Sequence, residues 1–132
     1  MGVAGQSPTK TPERFRLADE RLSHTHHFDL GEETRGYVIA GMYNDGRLGE
    51  ISVHIAKEGS TLSGMIRAWY IAVNIGLQHG IPAEVFAEKF RRMHFEPSGW
   101  TKTETIRQAS SIVDYIFAWI EQTFPGGVWK GK

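Results

Sequence analysis

A run rich in β-branched and aromatic residues and a run of alternating apolar and polar residues flank Asn44-Asp45-Gly46-Arg47, and from Gly59 onward the apolar spacing lengthens to that of a helix. A period of two buries one face of a strand and a period near 3.6 buries one stripe of a helix, so strands precede the first helix. Leu48 to Ala56 sets Ile51, Val53 and Ile55 against Glu50, Ser52 and His54, and Gly36 to Tyr43 is rich in β-branched and aromatic residues. Asn-Asp and Asp-Gly favour the positive φ angles of tight turns, so the two runs are expected to pair as an antiparallel hairpin with one wetted face. Upstream, Ser23 to Leu30 places His24, His26, Phe28 and Leu30 on one face and Ser23, Thr25, His27 and Asp29 on the other, which predicts a short, possible edge strand.

After Gly59, the residues Leu62, Met65, Ile66, Trp69, Val73, Gly76 and Leu77 share a helical stripe, with Ser60 as the expected N-cap and Gly80 as the stop. Pro82 is expected to open a short helix with Val85, Phe86 and Phe90 on its buried side and Arg91 and Arg92 at its end. Met93 to Thr103, containing Pro97 and Gly99, reads as a loop. Ile106, Ala109, Val113, Ile116, Phe117, Ile120 and Phe124 then repeat at helical spacing until Pro125 and Gly126, which predicts a second long helix. Trp69, Tyr115 and Trp119 broaden the apolar surface and suggest a subunit contact.

The expected fold class is α+β: a small antiparallel sheet of about three strands, with one Asp-Gly hairpin, packed by two long helices and one short helix. Pro8 and Pro12 break the first stretch and only Phe15 and Leu17 offer apolar anchors, so residues 1–21 are expected to be a flexible tail or linker and residues 22–132 a single domain.

Composition removes several chemistries. The 132 residues contain no cysteine, which excludes disulfides, thiolate metal sites and thiol-based redox or radical steps by this chain. Lys+Arg and Asp+Glu balance at 15 each, so no global field favours general nucleic-acid binding or an anionic membrane. Met1 to Arg16 has no apolar core of signal-peptide length and no later run has the length of a membrane span, so a cytoplasmic location is expected.

Three stretches carry a family resemblance: Gly36-Tyr37 through Gly46-Arg47-Leu48-Gly49-Glu50-Ile51; Ala56-Lys57-Glu58-Gly59-Ser60-Thr61-Leu62-Ser63-Gly64; and Phe95-Glu96-Pro97-Ser98-Gly99-Trp100-Thr101 followed by Ser111-Ile112-Val113-Asp114-Tyr115-Ile116-Phe117. Together they resemble the C-terminal region of class II, adenosylcobalamin-dependent ribonucleotide reductases, often classed with TSCPD domains, from about Arg14 to Ile120. The resemblance implies a role in making deoxyribonucleotides, in enzymes whose large barrel holds the cobalamin, the radical-carrying cysteine and the substrate. That barrel is not in this sequence, and the cysteine pair common in the family's C-terminal region is missing. The expectation is therefore a non-catalytic module that binds no cofactor itself, its partner being either itself in a homo-oligomer or a reductase catalytic subunit. Trp69-Tyr70, Asn74 and the stretch from Thr101 to Gln108 depart from the family's pattern.

Two segments suit a phosphate-bearing ligand. Lys57, Gly59, Ser60, Thr61 and Ser63 lie where a strand hands over to a helix, so free backbone N–H groups and the positive end of the helix dipole point outward; a plain capped helix start is the alternative, and the spacing is not that of a Walker loop. Arg91, Arg92, Phe95, Ser98, Trp100 and Thr101, with His94 and Glu96, could stack a base and pair a phosphate, or form a loop pinned by Phe95 and Trp100. His24 and His26, with His27 and His54, are weak metal candidates that read more readily as structural or surface histidines. Glu50, Glu58, Asp114 and Glu121 are scattered without visible pairing, and Asp114 is expected to face a polar seam between helices. Two functions follow as expectations. The first is an accessory module supporting deoxyribonucleotide synthesis through assembly or nucleotide binding; the alternative is a free-standing oligomeric binder of a nucleotide-derived ligand, such as a phage sponge for cyclic nucleotide immune signals.

Overall fold

The turn after Tyr43 closes as its residues require. Gly46 adopts φ +90°, its N–H donates to the Tyr43 carbonyl at 2.9 Å, and the Asp45 carboxylate accepts from the Arg47 N–H at 3.1 Å. The structure is a computed structural model that describes residues 5, 7, 10–56 and 59–131; Lys57 and the side chain of Ser60 lie outside the described residues. The turn joins β2 (Thr34–Met42) to β3 (Leu48–Ala56), and β1 (Ser23–Leu30) pairs with the other side of β2. Gly36 is required where β2 passes β3, since a Cβ there would stand 2.3 Å from the His54 carbonyl oxygen.

Helix α1 (Ser60–Gln78) follows, ended by Gly80 at φ +94°. Gly80 N–H donates to the Leu77 carbonyl and Ile81 N–H to the Gly76 carbonyl, both at 3.0 Å, the hydrogen-bond pair of a Schellman stop. Gly76 also lets α2 (Ala83–Phe90) approach, because a Cβ at that position would lie 2.5 Å from the Phe86 ring. Three local expectations shift here. The N-cap of α1 is Gly59, one residue before Ser60, and carries no side-chain cap bond. Pro82 is the N-cap of α2 rather than its first residue. Ala83 and Ala87 are its buried residues, with Phe86 and Phe90 packed on the core and Val85 exposed.

The α+β class holds, but the sheet has five strands in the order β3-β2-β1-β4-β5, all antiparallel. Strand β4 (Gly99–Thr103) lies inside the stretch expected to be a loop, and β5 (Ile106–Ala109) replaces the first turns of the expected second long helix. Ile106 and Ala109 are buried while Arg107 and Gln108 between them are exposed, a spacing of three that an irregular strand and a helix share. The third helix, α3 (Ile112–Thr123), is only 12 residues long, and Ile112 to Ile120 are all buried.

All three helices leave one sheet face uncovered. Phe28, Leu30, Val38, Ala40, Ile51 and Val53 form the covered side, whereas Thr25, His27, Arg35, Tyr37 and His54 are exposed on the other. Helix α1 runs beside the edge strand β3, where Asn74 acts as a substitute strand: its Oδ1 accepts from Ile51 N–H at 2.7 Å and its Nδ2 donates to the Ile51 carbonyl at 2.8 Å. Gln78 Nε2 donates to the Gly49 carbonyl at 3.0 Å. These bonds satisfy edge groups that would otherwise recruit another chain, which gives the departure at Asn74 a physical role. The segment before β1 is tied to the same place: Arg14 donates to the Gln78 side chain at 2.8 Å, Phe15 N–H to the Gln78 carbonyl at 2.9 Å, and Arg21 pairs with Glu50 at 2.6 Å. Among the described residues, no helix is long and apolar enough to cross a membrane.

A matched pair of glycine substitutions tests this packing. Gly36→Ala drives a methyl group into the β3 backbone and is expected to lower unfolding stability in urea by about 2 kcal/mol. Gly64→Ala meets nothing within 4 Å in the middle of a helical turn and is expected to raise stability by roughly 0.5 to 1 kcal/mol.

Candidate functional site

Helix α2 ends at Arg91, and Arg92 takes φ +66°, a left-handed conformation that reverses the chain. What holds this reversal is the carboxylate of Asp114, on the first turn of α3. Its Oδ1 accepts from Arg91 Nε at 3.0 Å and from Arg92 N–H at 2.7 Å, and its Oδ2 accepts from Ser110 N–H at 2.9 Å. Ser111 caps α3 by accepting from Asp114 N–H at 3.0 Å while donating to the Met93 carbonyl at 2.6 Å. Burial by itself would push the Asp114 carboxyl upward; the hydrogen bonds from Ser110, Arg92 and Arg91 outweigh it and hold the pKa below the ordinary carboxylate value. Arg91 also binds the Glu121 carboxylate. Asp114 and Glu121 are therefore not isolated: one guanidinium joins them, and the expected polar seam between helices is this ion-pair cluster between α2 and α3.

Beside the cluster opens a polar groove of about 390 Å³ lined by Arg92, His94, Ser98, Gly99, Gln108 and Ser110, with Arg91 and Asp114 at its base. Arg92 and His94 are exposed. Trp100 stands 69% exposed, in register with Gln108. Three candidates of this segment have partners of their own. Phe95 packs against the core, Thr101 donates its hydroxyl to the Ile106 carbonyl, and Ser98 donates its hydroxyl to Glu96 at 3.0 Å.

The helix-start candidates are not part of this groove. Gly59 and Thr61 are exposed, Ser63 is half-buried, and Ser63 N–H closes the first turn onto the Gly59 carbonyl at 3.2 Å. A Cβ at Gly59 or Gly64 would meet nothing within 4 Å, so the turn is open to solvent and its glycines answer to no protein contact. The cross-strand row through Thr101 runs by Leu30 and Thr34 to the end of β3. The two segments thus sit three strand spacings apart, about 14 Å.

The histidines divide between the two faces of β1. His26 Nε2 and Tyr115 Oη lie 2.8 Å apart, and Tyr115 Oη meets Thr103 Oγ1 at 2.6 Å. His26 also stacks on Trp119 at 5.2 Å. Burial, and secondarily His27, lowers the His26 pKa; burial raises that of Tyr115, with the Thr103 bond opposing and Asp29 adding to it. His24 fits edge-on against Phe124 and Trp129. His27 and His54 belong to the opposite face. Among the described residues no three His, Cys, Asp or Glu side chains gather to hold a metal.

Sequence reasoning did not find the Arg91–Asp114 pair, whose members are 23 positions apart. One signal was present: Ser111-Ile112-Val113-Asp114 has the spacing of a capping box and marks the true start of α3.

Comparison with known proteins places the chain in a family. The TSCPD domain matches residues 10–124, and the chain belongs to that family. A vitamin B12-dependent ribonucleotide reductase of Rhodopirellula baltica is 46% identical over 117 residues, 88% of this chain and 11% of that protein. Its namesake in Streptomyces avermitilis is 47% identical over 106 residues, 80% of this chain and 11% of that protein, and that of Agrobacterium fabrum is 35% identical over 115 residues, 86% and 9%. The chain spans about a tenth of the length of these three relatives. No solved structure matches it.

The Asp114 cluster makes a pH-dependent prediction. A carboxylate whose folded pKa is depressed adds stability above its unfolded value of about 3.9, and that increment is lost as pH falls through the folded value. Asp114→Asn is therefore expected to cost roughly 2 to 3 kcal/mol at pH 7, and the gap to the wild type should narrow below pH 4 in urea titrations. An equal gap at pH 7 and pH 3 would show that the charge of Asp114 is not what matters.

Proposed function

We propose that this chain is a non-catalytic accessory module of a vitamin B12-dependent ribonucleotide reductase, and that it serves assembly by docking on the catalytic body through the outer face of α1. The observation that carries this reading is the composition of that face. Thr61, Gly64, Met65, Ala68, Ile71, Ala72 and Ile75 are all exposed there, with Arg67 the one charge, and Met65 is 67% exposed. An exposed helix face this poor in charge is unusual on a free-standing surface. Gly64, Ala68 and Ala72 repeat every fourth residue, which lets another backbone come close along the whole face.

The occupant fits the family's architecture. In the relatives the corresponding region is about a tenth of a much longer chain, so a surface on it has a large body of the same protein to meet. Cobalamin and radical chemistry then belong to that body, in keeping with a chain that has no cysteine. Adenosylcobalamin would be held by the partner. Met65→Glu with Ile75→Glu should abolish co-migration with a B12-dependent reductase catalytic protein in size-exclusion chromatography while leaving thermal unfolding nearly unchanged. Undiminished co-migration of the double variant, or concentration-dependent self-association of the wild type that those changes abolish, would replace the reading with docking elsewhere or with a homo-oligomer.

A second reading has its own support in the groove beside α3. Arg92 has no ion pair among the described residues, and with His94 it offers a cation and a ring at one opening. A phosphate-bearing ligand there would have its affinity lowered about tenfold by Arg92→Ala, as read by calorimetry with pyrophosphate. Equal binding by the wild type and the variant would end that reading.

A further inference from the structure

The uncovered sheet face carries a row of rings that the proposed docking does not use. His27 on β1 is in register with Tyr37 on β2, and Tyr37 with His54 on β3. Directly opposed residues on one face hold their Cβ atoms about 5 Å apart, so the three side chains stand in one row. The His27 and Tyr37 rings meet edge to face at 5.0 Å, and Tyr37 is 49% exposed. A shallow cavity of about 360 Å³ lies over the strip, lined also by Arg35 and Ala56. Exposed faces of antiparallel sheets are usually dressed with threonine, lysine and glutamate, and a ring strip here buries nothing within the chain.

We propose that this strip is a base-stacking platform for a nucleotide, with Tyr37 under the base and Arg35 on the phosphate. Arg35 is two residues from Tyr37 on the same face, about 7 Å along the strand, which suits the span from a stacked base across its sugar to a 5′ phosphate. His27 and His54 flank the base with ring edges and nitrogen donors or acceptors, and Ser52, 3.3 Å from His54 Nε2, adds a hydroxyl for the sugar. The charge agrees with an anion: the described residues that line the cavity include Arg35 and no carboxylate, and Asp29, opposite Arg35, lies 3.7 Å from His27. Stacking is indifferent to base identity because every base has a π-face. The same chemistry is presented by a free nucleotide and by single-stranded nucleic acid. Trp100 and Lys102 are exposed on this same face, since Thr101 is in register with Leu30 of the covered side and Thr103 meets Tyr115 of α3. Trp100 stands about 16 Å from Tyr37, within reach of a strand but not of one nucleotide.

The test is an amide-resolved NMR titration of the full chain with adenosine 5′-monophosphate, adenosine, inorganic phosphate and a short oligo-adenylate. The monophosphate should shift His27, Tyr37 and His54 saturably where inorganic phosphate at the same concentration does not. Tyr37→Ala should weaken binding about tenfold and Tyr37→Phe should restore it, with both variants melting like the wild type. Arg35→Ala should weaken the monophosphate and leave adenosine unaffected. If Trp100→Ala weakens only the oligo-adenylate, the platform serves a strand; if it weakens neither, a free nucleotide. Absence of shifts, shifts confined to the Arg92 groove, equal shifts with inorganic phosphate, or wild-type affinity in Tyr37→Ala would each overturn the proposal. The α1 variants leave this face intact, so its failure and that of the docking reading are separable.

Discussion

The architecture depends on one buried carboxylate. Asp114 receives the backbone N–H groups of Arg92 and Ser110 and the guanidinium of Arg91, and thereby fixes the end of α2, the exit of β5 and the first turn of α3 to a single point. A buried charge without partners is costly, and one surrounded by donors costs little and is directional. Packing alone would let α2 slide on α3; three hydrogen bonds to one side chain specify where it stops. The left-handed turn at Arg92 and the groove beside it are consequences of that stop.

The same logic sorts the polar residues of the chain. Those with chemical potential on paper are largely engaged in structure: Tyr115 between His26 and Thr103, Thr101 on a strand carbonyl, Asn74 and Gln78 along the β3 edge. What the fold leaves free is of a different kind. The outer face of α1 is apolar and nearly uncharged, and the open sheet face carries rings and a cation. The docking and stacking proposed for this TSCPD-family chain, which matches about a tenth of the length of its reductase relatives, each rest on one of these surfaces.

The hairpin was legible because Asp45-Gly46 stands between a β-branched and aromatic run and the clean alternation of Leu48 to Ala56, and α1 because a clear helical period runs into a glycine stop. Strands β4 and β5 were hidden. Ile106 and Ala109 continue the spacing of α3 backward, and only the Ser111-to-Asp114 cap reveals that the helix starts later. The candidate sites were half legible for a similar reason. Residue type marked Arg92, His94 and Ser98, which do converge on one groove, but could not tell that Arg91 and Thr101 were already bonded. The row of His27, Tyr37 and His54 depends on strand register across three strands, which residue type alone does not encode.

Hydrogen exchange on the full chain addresses the central claim, that the residues around Asp114 are a structural node rather than a working site. The amides of Arg92 and Ser110, both donors to that carboxylate, should exchange as slowly as those of Val38 and Ile116 in the core, opening only when the whole domain unfolds. Rapid exchange at Arg92 and Ser110 while the core stays protected would mean that the α2–α3 junction opens independently, and the account would be wrong at its base.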